Sequence, residues 1–280
     1  MNITNGKNKK REIKFPLFIA YKKNSIINKE RLIKMSEFVE YNCDTKPYPS
    51  FGKKYNGEKA IISLTSWKAR INTVSKTLFS LLQQCPGFHI VLVLSEEEFP
   101  KMMNELPENL KLFVDNELIE VLWVYKNSKS FKKVLFTMDK YRDVPVISAD
   151  DDCIYTCNYA QMLYDKWKDN KKSFVTIKSD RPFYKKITCN GIGAASLHPP
   201  KIYENFLPLL NFKELTNISH DDIFYMIIRN KLKTPQQIVN KRIKDIIKFV
   251  NECKPLHNTY VKINAKSLYE TAIDKFIKGI

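Results

Sequence analysis

The sequence contains no long hydrophobic run. No stretch of the 280-residue chain approaches the roughly 20 consecutive apolar residues that a membrane-spanning helix requires. The opening MNITNGKNKKREIK is too polar and too basic for a secretory signal. We therefore expect a cytoplasmic protein that is soluble or peripheral, with any peripheral attachment on the inner face of the cytoplasmic membrane.

Paired cysteine spacing is also missing. The six cysteines are scattered along the chain. Cys153 and Cys157 lie close together, but no cluster of Cys and His accompanies them. This spacing excludes a regular disulfide framework and the common zinc motifs, and it predicts free thiols in a reducing compartment.

Acidic residues are the minority among the charged ones. The chain has 47 Lys and Arg against 30 Asp and Glu, a formal net charge of +17. Such an excess predicts an anionic partner: nucleic acid, an anionic membrane face or a phosphorylated substrate. Because the basic residues carry no RNA-binding or helix-turn-helix signature, we expect no nucleic-acid partner. Part of the excess also fits a general lysine-rich and asparagine-rich composition.

No internal repeat or low-complexity linker divides the chain, and its length suits one catalytic domain with appendages. Residues 1–58 carry short apolar pieces broken by polar residues, which predicts an N-terminal arm that packs on the core. Residues 59–232 alternate strand-like and helical patterns and form the predicted catalytic domain. Residues 233–280 predict basic amphipathic helices, near 236–251 and 265–278.

The pattern of the central segment predicts an α/β fold. Strands that alternate with helices form a mostly parallel sheet that is covered on both faces. Apolar residues recur at helical spacing in 71–84 and 130–141. The predicted strands are 60–64, 89–94, 119–124 and 144–148, followed by a helix at 159–167, a strand at 173–177 and a helix that begins at Asp221.

Such sheets bind ligands at the carboxyl ends of their strands, here residues 65–70, 95–98 and 150–152. The last of these is three consecutive aspartates, which repel one another unless a cation is present. Their hard oxygens suit Mg²⁺ or Mn²⁺, which can hold a diphosphate and take up charge as a leaving group departs. The alternative is a solvated acidic turn, or a helix start capped by Asn158.

Six segments occur in a characteristic order over about residues 60–230. They are IISLTSWKAR, the run at 95–100, SKSFKKV, VISADDDCIY, ITCNGIGAASLHPP and SHDDIFY. In this order they resemble bacterial GT-A glycosyltransferases related to glycosyltransferase family 2. The resemblance implies a GT-A (Rossmann-like) sheet and the activity of a metal-dependent hexosyltransferase. The helices predicted after residue 232 would form a helical C-terminal appendage to this fold.

The resemblance implies a donor site around the acidic run. Asp150 and Asp152 are the outer members of a D-x-D motif, Asp152 is favoured as the direct ligand, and the implied cofactor is Mn²⁺ or Mg²⁺. The nucleotide sugar is implied to contact Asp150 and Asp151, together with Thr65, Ser66 and Arg70. For Thr65 and Ser66 a helix N-cap is the alternative.

Two further pairs of residues are implied to line the donor site. Lys132 or Lys133 is implied to face the phosphates or the sugar. Because neighbouring helix residues point about 100° apart, we expect at least one of the two lysines to lie on a solvated helix face. Asn190 and Gly191 predict a two-residue hairpin. In the family pattern this backbone also lets a sugar approach closely.

A second acidic pair lies late in the chain. The resemblance implies that Asp222 removes the acceptor proton, with Asp221 as the next candidate. Ser219 and Asp222 also have the spacing of a capping box before the apolar run IFYMII, so a structural role stays open. His257 is a candidate metal ligand, although a lone histidine is more often a surface or hydrogen-bonded residue.

The predicted reaction is inverting transfer of a sugar from a nucleotide diphosphate sugar, with UDP favoured, to a hydroxyl of a surface glycan of the capsule or lipopolysaccharide type. A sugar nucleotidyltransferase is one alternative, but the turn after its first strand is normally glycine-rich, and here it is SLTSWKAR. A basic nucleic-acid-binding protein with an α/β core is another, and it would bind with a steep salt dependence. The third alternative is a degenerate, non-catalytic protein of the same fold. The intact acidic pairs argue against it.

The stretch 236–250 predicts a basic amphipathic helix, with apolar residues on one side and lysines and an arginine on the rest. Such a helix packs on the core or attaches to an anionic membrane surface. The two are compatible if only the lysines face lipid.

Overall fold

The computed structural model describes residues 48–178, 193–203 and 221–250. In these ranges the strands are β1 (Ser50–Gly52), β2 (Ala60–Thr65), β3 (Phe88–Ser95), β4 (Glu120–Val124), β5 (Val146–Ser148), β6 (Cys153–Tyr155), β7 (Phe174–Lys178), β8 (Ser196–His198), β9 (Gln236–Arg242) and β10 (Ile247–Phe249). The helices are α1 (Val74–Leu82), α2 (Glu108–Asp115), α3 (Lys132–Lys140), α4 (Tyr159–Lys168) and α5 (Asp221–Lys231). Short 3₁₀ turns occur at Met102–Glu105, Lys129–Phe131 and Ile243–Asp245.

Eight strands form one sheet in the order β1-β4-β3-β2-β5-β8-β7-β9. The four strands β4, β3, β2 and β5 are parallel: Ile62 pairs with Ile90 and Ile147, and Leu92 pairs with Val121. β1 and β8 run antiparallel to their neighbours, and β9 runs parallel to β7. The predicted α/β fold with a mostly parallel central sheet is confirmed, and the architecture is consistent with a GT-A type fold.

Helices cover both faces of the sheet, because alternate strand residues point to opposite sides. Ile62 and Leu92 pack in one buried cluster with residues of α1, α2 and α4. Ile61 and Val91 pack in the other with residues of α3 and α5. Full burial of each such side chain contributes about 1.5–3 kcal/mol. Burial on both faces explains why the parallel strands are nearly continuous apolar runs.

The prediction of a helix at 236–251 is wrong. Residues Gln236–Arg242 form β9, and Ile247–Phe249 form β10, which pairs with β6. The β-branched residues of this stretch suit a half-buried strand, and the edge of β7 supplies the backbone partners that a strand needs. Val239 and Ile243 still pack against the core. The membrane argument that depended on this helix falls with it, and the helix predicted at 265–278 lies outside the described residues.

Among the residues that the structure describes, no helix has both the length and the hydrophobicity of a membrane span. The thiols of Cys85, Cys153 and Cys157 are free, as predicted for these three cysteines.

A buried polar network holds α5 on the sheet. The Arg229 guanidinium lies 3.8 Å from the centroid of the Phe174 ring, and its Nη1 donates to the Tyr203 hydroxyl at 3.0 Å. The same hydroxyl lies 2.9 Å from His198 Nδ1. Burial holds the pKa of His198 well below its usual value of 6.5, and the positive charges of Arg229 and Lys133 add to this shift.

We expect stability to fall at acid pH through His198. Between the lowered pKa of the folded state and about 6.5, the unfolded chain binds a proton that the folded protein refuses. The contribution is therefore complete above about pH 6.5, and the free energy of unfolding falls by up to about 1.4 kcal/mol per pH unit below it. Urea unfolding between about pH 7 and pH 5 measures this slope. His198→Asn should flatten it, and an unchanged slope in that variant would contradict the assignment.

Candidate active site

The site lies where the strand order reverses. β2, β3 and β4 follow one another to one side, whereas β5 pairs on the other side of β2. This reversal leaves a crevice at the carboxyl ends of β2 and β5, the usual ligand position in an open α/β sheet. Residues 65–70 leave from β2 and residues 149–152 from β5, so the two segments face each other across it.

Asp151 is the buried member of the acidic run. The Ser66 hydroxyl donates to Asp151 Oδ2 at 2.6 Å. Arg70 Nη1 lies 3.1 Å from Asp151 Oδ1 and 2.6 Å from Asp152 Oδ2. Burial raises the pKa of Asp151 to about 6, with Arg70 and Ser66 opposing the shift and the neighbouring carboxylates adding to it. The structure therefore brings together four of the residues predicted for the donor site.

Lys133 binds the run from the other side. Its Nζ lies 2.6 Å from Asp150 Oδ1 and 3.4 Å from Asp221 Oδ2. The side chain is buried, and its backbone carbonyl accepts a hydrogen bond from Ser63 at 2.5 Å. Burial alone would lower the pKa of Lys133, but the carboxylates of Asp150, Asp221 and Asp222 raise it well above 10.5. The ammonium group is therefore charged.

Lys132 turns away from Lys133. Its Nζ lies 2.8 Å from Glu98 Oε2 and 2.8 Å from Asn127 Oδ1, and burial lowers its pKa. The expectation that at least one of these lysines lies on a solvated face is wrong, because both are buried. The side chains of Lys132 and Lys133 do point in different directions, but each meets a carboxylate: Glu98, which follows β3, pairs with Lys132, and Asp150, which follows β5, pairs with Lys133. Glu98 had no predicted role.

The cap alternative does not hold for Thr65 and Ser66, and for Asn158 it holds in position only. Helix α1 begins at Val74 with Thr73 at its N-cap, so Thr65 and Ser66 cap no helix there. The Thr65 hydroxyl instead donates to the carbonyl of Val93 in β3 at 2.7 Å. Asn158 is at the N-cap of α4, but its side chain makes no cap hydrogen bond.

The late acidic pair reaches the same crevice on the first turn of α5. Asp221 is buried and Asp222 is half-buried. Gly193 lies directly against Asp222, since a Cβ built on this glycine would be 2.2 Å from Asp222 Oδ1. Together with Lys133, these residues line one pocket, whose wall also includes Ser148, Ser196 and His198.

We expect Gly193→Ala to reduce activity without unfolding the protein. The added methyl group cannot remain 2.2 Å from Asp222 Oδ1, and the short carboxylate side chain is what gives way. If Asp222 acts on the substrate, a displacement of about 1 Å lowers the rate on the order of 10²-fold. The control is Gly57→Ala, where the added methyl meets nothing within 4 Å but the φ of +80° strains an L side chain, so this variant should lose stability and keep its activity. Wild-type activity of folded Gly193→Ala, measured well below the melting temperature of either variant, would contradict the placement of Asp222.

The acidic run is braced by a segment whose contact was not predicted. Strand β6 follows the run directly and pairs with β10. The backbone amide of Val250 donates to the carbonyl of Asp152 at 2.8 Å. This contact was missed because the segment that contains it was predicted to be a helix.

The outer carboxylates of the acidic run are more exposed than the middle one. The side chains of Asp150 and Asp152 are 36% and 19% exposed, whereas that of Asp151 is 5% exposed. In the described ranges, no group of three or more His, Cys, Asp and Glu side chains is arranged to hold a metal. Two carboxylates are nevertheless typical of Mg²⁺ sites that use substrate phosphates and waters as further ligands. Asn190, Gly191, Ser219 and His257 lie outside the described residues, and their roles stay predictions.

Comparison with known proteins gives matches in structure. No protein-family model matches the chain, and no curated protein sequence does. Among solved structures, the chain is similar to S. aureus TarS 1-349 in complex with UDP (TM-score 0.47, 10% identity, 68% of this chain and 59% of that one). It is also similar to the mannosyltransferase PcManGT from Pyrobaculum calidifontis in complex with GDP-Man and Mn²⁺ (TM-score 0.47, 12% identity, 76% and 62%).

A third similar structure is the glycosyltransferase GlyE of Streptococcus pneumoniae TIGR4 (TM-score 0.40, 16% identity, 66% and 45%). The chain spans less than two thirds of the length of each of these three proteins. Likeness at this level assigns no activity to the chain.

Proposed function

We propose that this chain is a glycosyltransferase that moves a sugar from a nucleotide diphosphate sugar to a hydroxyl group. One observation carries the proposal: two acidic groups far apart in sequence, 150–152 and 221–222, approach one buried cation, Lys133, in the crevice of the sheet. Transfer with inversion needs a leaving-group site and a base on opposite sides of one anomeric carbon. A crevice with two acidic groups offers both.

The donor half of the proposed site is the acidic run. Asp150 and Asp152 would hold Mg²⁺ or Mn²⁺ beneath the diphosphate, and the ion would supply charge stabilisation for the leaving group. Ser66 and Arg70 hold Asp151 and Asp152 in place through the contacts at 2.6–3.1 Å. Their role is to keep the run fixed while charge develops, because preorganised groups need no rearrangement during the reaction.

The acceptor half is the first turn of α5. A carboxylate at a helix N-terminus is favoured in its ionised form, as a base must be before it takes a proton. Asp222 is proposed as the group that accepts the hydroxyl proton, and Gly193 leaves the space that its carboxylate occupies. Attack from this half on a sugar whose leaving group lies in the other half would invert the anomeric carbon.

The finer parts of the proposal come from the sequence resemblance: a UDP-sugar donor, and a glycan acceptor of the capsule or lipopolysaccharide type. Peripheral attachment to the anionic inner face of the cytoplasmic membrane is a separate proposal that no longer depends on a helix at 236–251. It would use the exposed basic side chains around β9 and β10, namely Lys241, Lys244 and Lys248.

Thermal shift against nucleotide sugars tests the proposal. A ligand at a hundredfold excess over its Kd stabilises a fold by about 2.7 kcal/mol. UDP-sugars with Mn²⁺ should raise the melting temperature, and the shift should shrink without the metal. A shift produced only by nucleoside triphosphates would favour a nucleotidyltransferase. Stabilisation by nucleic acid alone would favour the binding-protein alternative.

A further inference from the structure

Lys133 is shared unequally between the two acidic groups of the site. Its ammonium is 2.6 Å from Asp150 Oδ1 but 3.4 Å from Asp221 Oδ2. The side chains of Lys133 and Asp221 are 4% and 11% exposed, whereas that of Asp150 is 36% exposed. The cation thus pairs more closely with the exposed carboxylate than with the buried one.

Asp221 has room for a closer partner. Its Oδ2 is buried and makes no hydrogen bond within the part of the chain that the structure describes. A buried carboxylate oxygen without a hydrogen bond is unfavourable. A movement of the Lys133 ammonium by less than about 1 Å would bring the pair to hydrogen-bond distance. The hydrogen bond from Ser63 to the Lys133 carbonyl fixes the backbone, so the side chain alone would move.

A ligand cation and Lys133 compete for the same carboxylate. While the ammonium lies 2.6 Å from Asp150 Oδ1, a divalent ion on this carboxylate meets a positive charge at short range, and this repulsion favours movement of the ammonium away from Asp150. A buried lysine left without a close counter-ion is strongly destabilised. The displaced ammonium therefore needs another carboxylate within reach, and Asp221 is already 3.4 Å away.

We infer that Asp221 is a positioning residue that receives Lys133 when a metal-bound nucleoside diphosphate takes Asp150. The inference rests on the proposed function and separates the roles of the acidic pair. Asp222, against Gly193, acts on the acceptor, and Asp221 acts through Lys133 on donor binding. Without Asp221, Lys133 stays on Asp150 and weakens the donor complex.

Calorimetric titration of UDP in the presence of Mn²⁺ tests this exchange. Asp221→Asn should weaken UDP binding roughly tenfold, the size expected for coupled contacts. In a Lys133→Met background the same change should alter affinity by less than about twofold, because the competing cation is gone. Asp143→Asn is the matched control: Asp143 pairs with Lys201 at 2.6 Å on the surface, and its loss should not affect binding.

The outcomes separate the inference from the function. If wild-type protein binds no nucleoside diphosphate, the proposed function fails and the inference with it. If wild type binds UDP but Asp221→Asn binds equally well, or weakens binding to the same extent in both backgrounds, only the inference is overturned. Should Lys133→Met fail to fold, Lys133→Gln replaces it. Asp221→Glu, which restores a carboxylate, should then recover more affinity than Asp221→Asn, and the reverse order would overturn the inference.

Discussion

Replacing Asp222 with Asn is expected to slow sugar transfer by roughly 10²- to 10⁴-fold, because the acceptor proton then has no base to receive it. The amide is nearly the same size as the carboxylate, so the approach of Gly193 is preserved. UDP binding should survive, since the donor contacts are made by the acidic run. The loss should therefore appear in kcat rather than in the affinity for the donor.

The control for this variant is Asp143→Asn, the same chemical change at a side chain that is 81% exposed. It should retain wild-type turnover and melting temperature. Near-normal turnover of Asp222→Asn would show that Asp222 is not the base. An unfolded Asp222→Asn protein would instead assign the residue to the start of α5, as a structural cap.

Chelation of divalent metal is expected to abolish transfer, and Asp152→Ala is expected to abolish UDP binding in Mn²⁺. Two carboxylates cannot hold a diphosphate by themselves, because both partners are anionic. A divalent ion reverses that repulsion and stabilises the leaving group. Activity should return when Mn²⁺ or Mg²⁺ is added back to the wild type but not to Asp152→Ala.

The control for Asp152→Ala must allow for its second effect, which is the loss of the 2.6 Å contact with Arg70. Arg70 keeps Asp151 as a partner at 3.1 Å, so a moderate loss of stability is expected. Asp169→Ala, at a side chain 61% exposed, should leave binding and turnover unchanged. Full activity after exhaustive chelation would refute the metal assignment while leaving the fold as described.

The central sheet could be predicted because parallel strands buried on both faces need apolar residues at nearly every position. β3 is such a run, and its predicted position at 89–94 lies within Phe88–Ser95. The prediction for 236–249 was wrong because the local pattern there is ambiguous. Its apolar residues fit helical spacing as well as strand pairing, and the choice depended on the open edge of β7, which no local pattern contains. Helix α2 was missed altogether.

The site likewise contains parts that the sequence could predict and parts that it could not. The rule of strand carboxyl ends selected Ser66, Arg70 and the acidic run, and these residues do meet. The burial of both lysines could not be predicted, because it depends on Glu98 and Asp150 converging on α3 from different strands. The sequence did not indicate which segment Gly193 approaches. Its contact with the first turn of α5 joins segments that are close only after folding.

The most direct test is the product formed from a nucleotide sugar. Wild-type protein with Mn²⁺ and a panel of nucleotide sugars should release a nucleoside diphosphate, by transfer to an added glycan or slowly by transfer to water. Asp222→Asn should release far less at an unchanged donor affinity. Release of pyrophosphate from a nucleoside triphosphate and a sugar 1-phosphate, with no nucleoside diphosphate from any nucleotide sugar, would contradict the glycosyltransferase assignment.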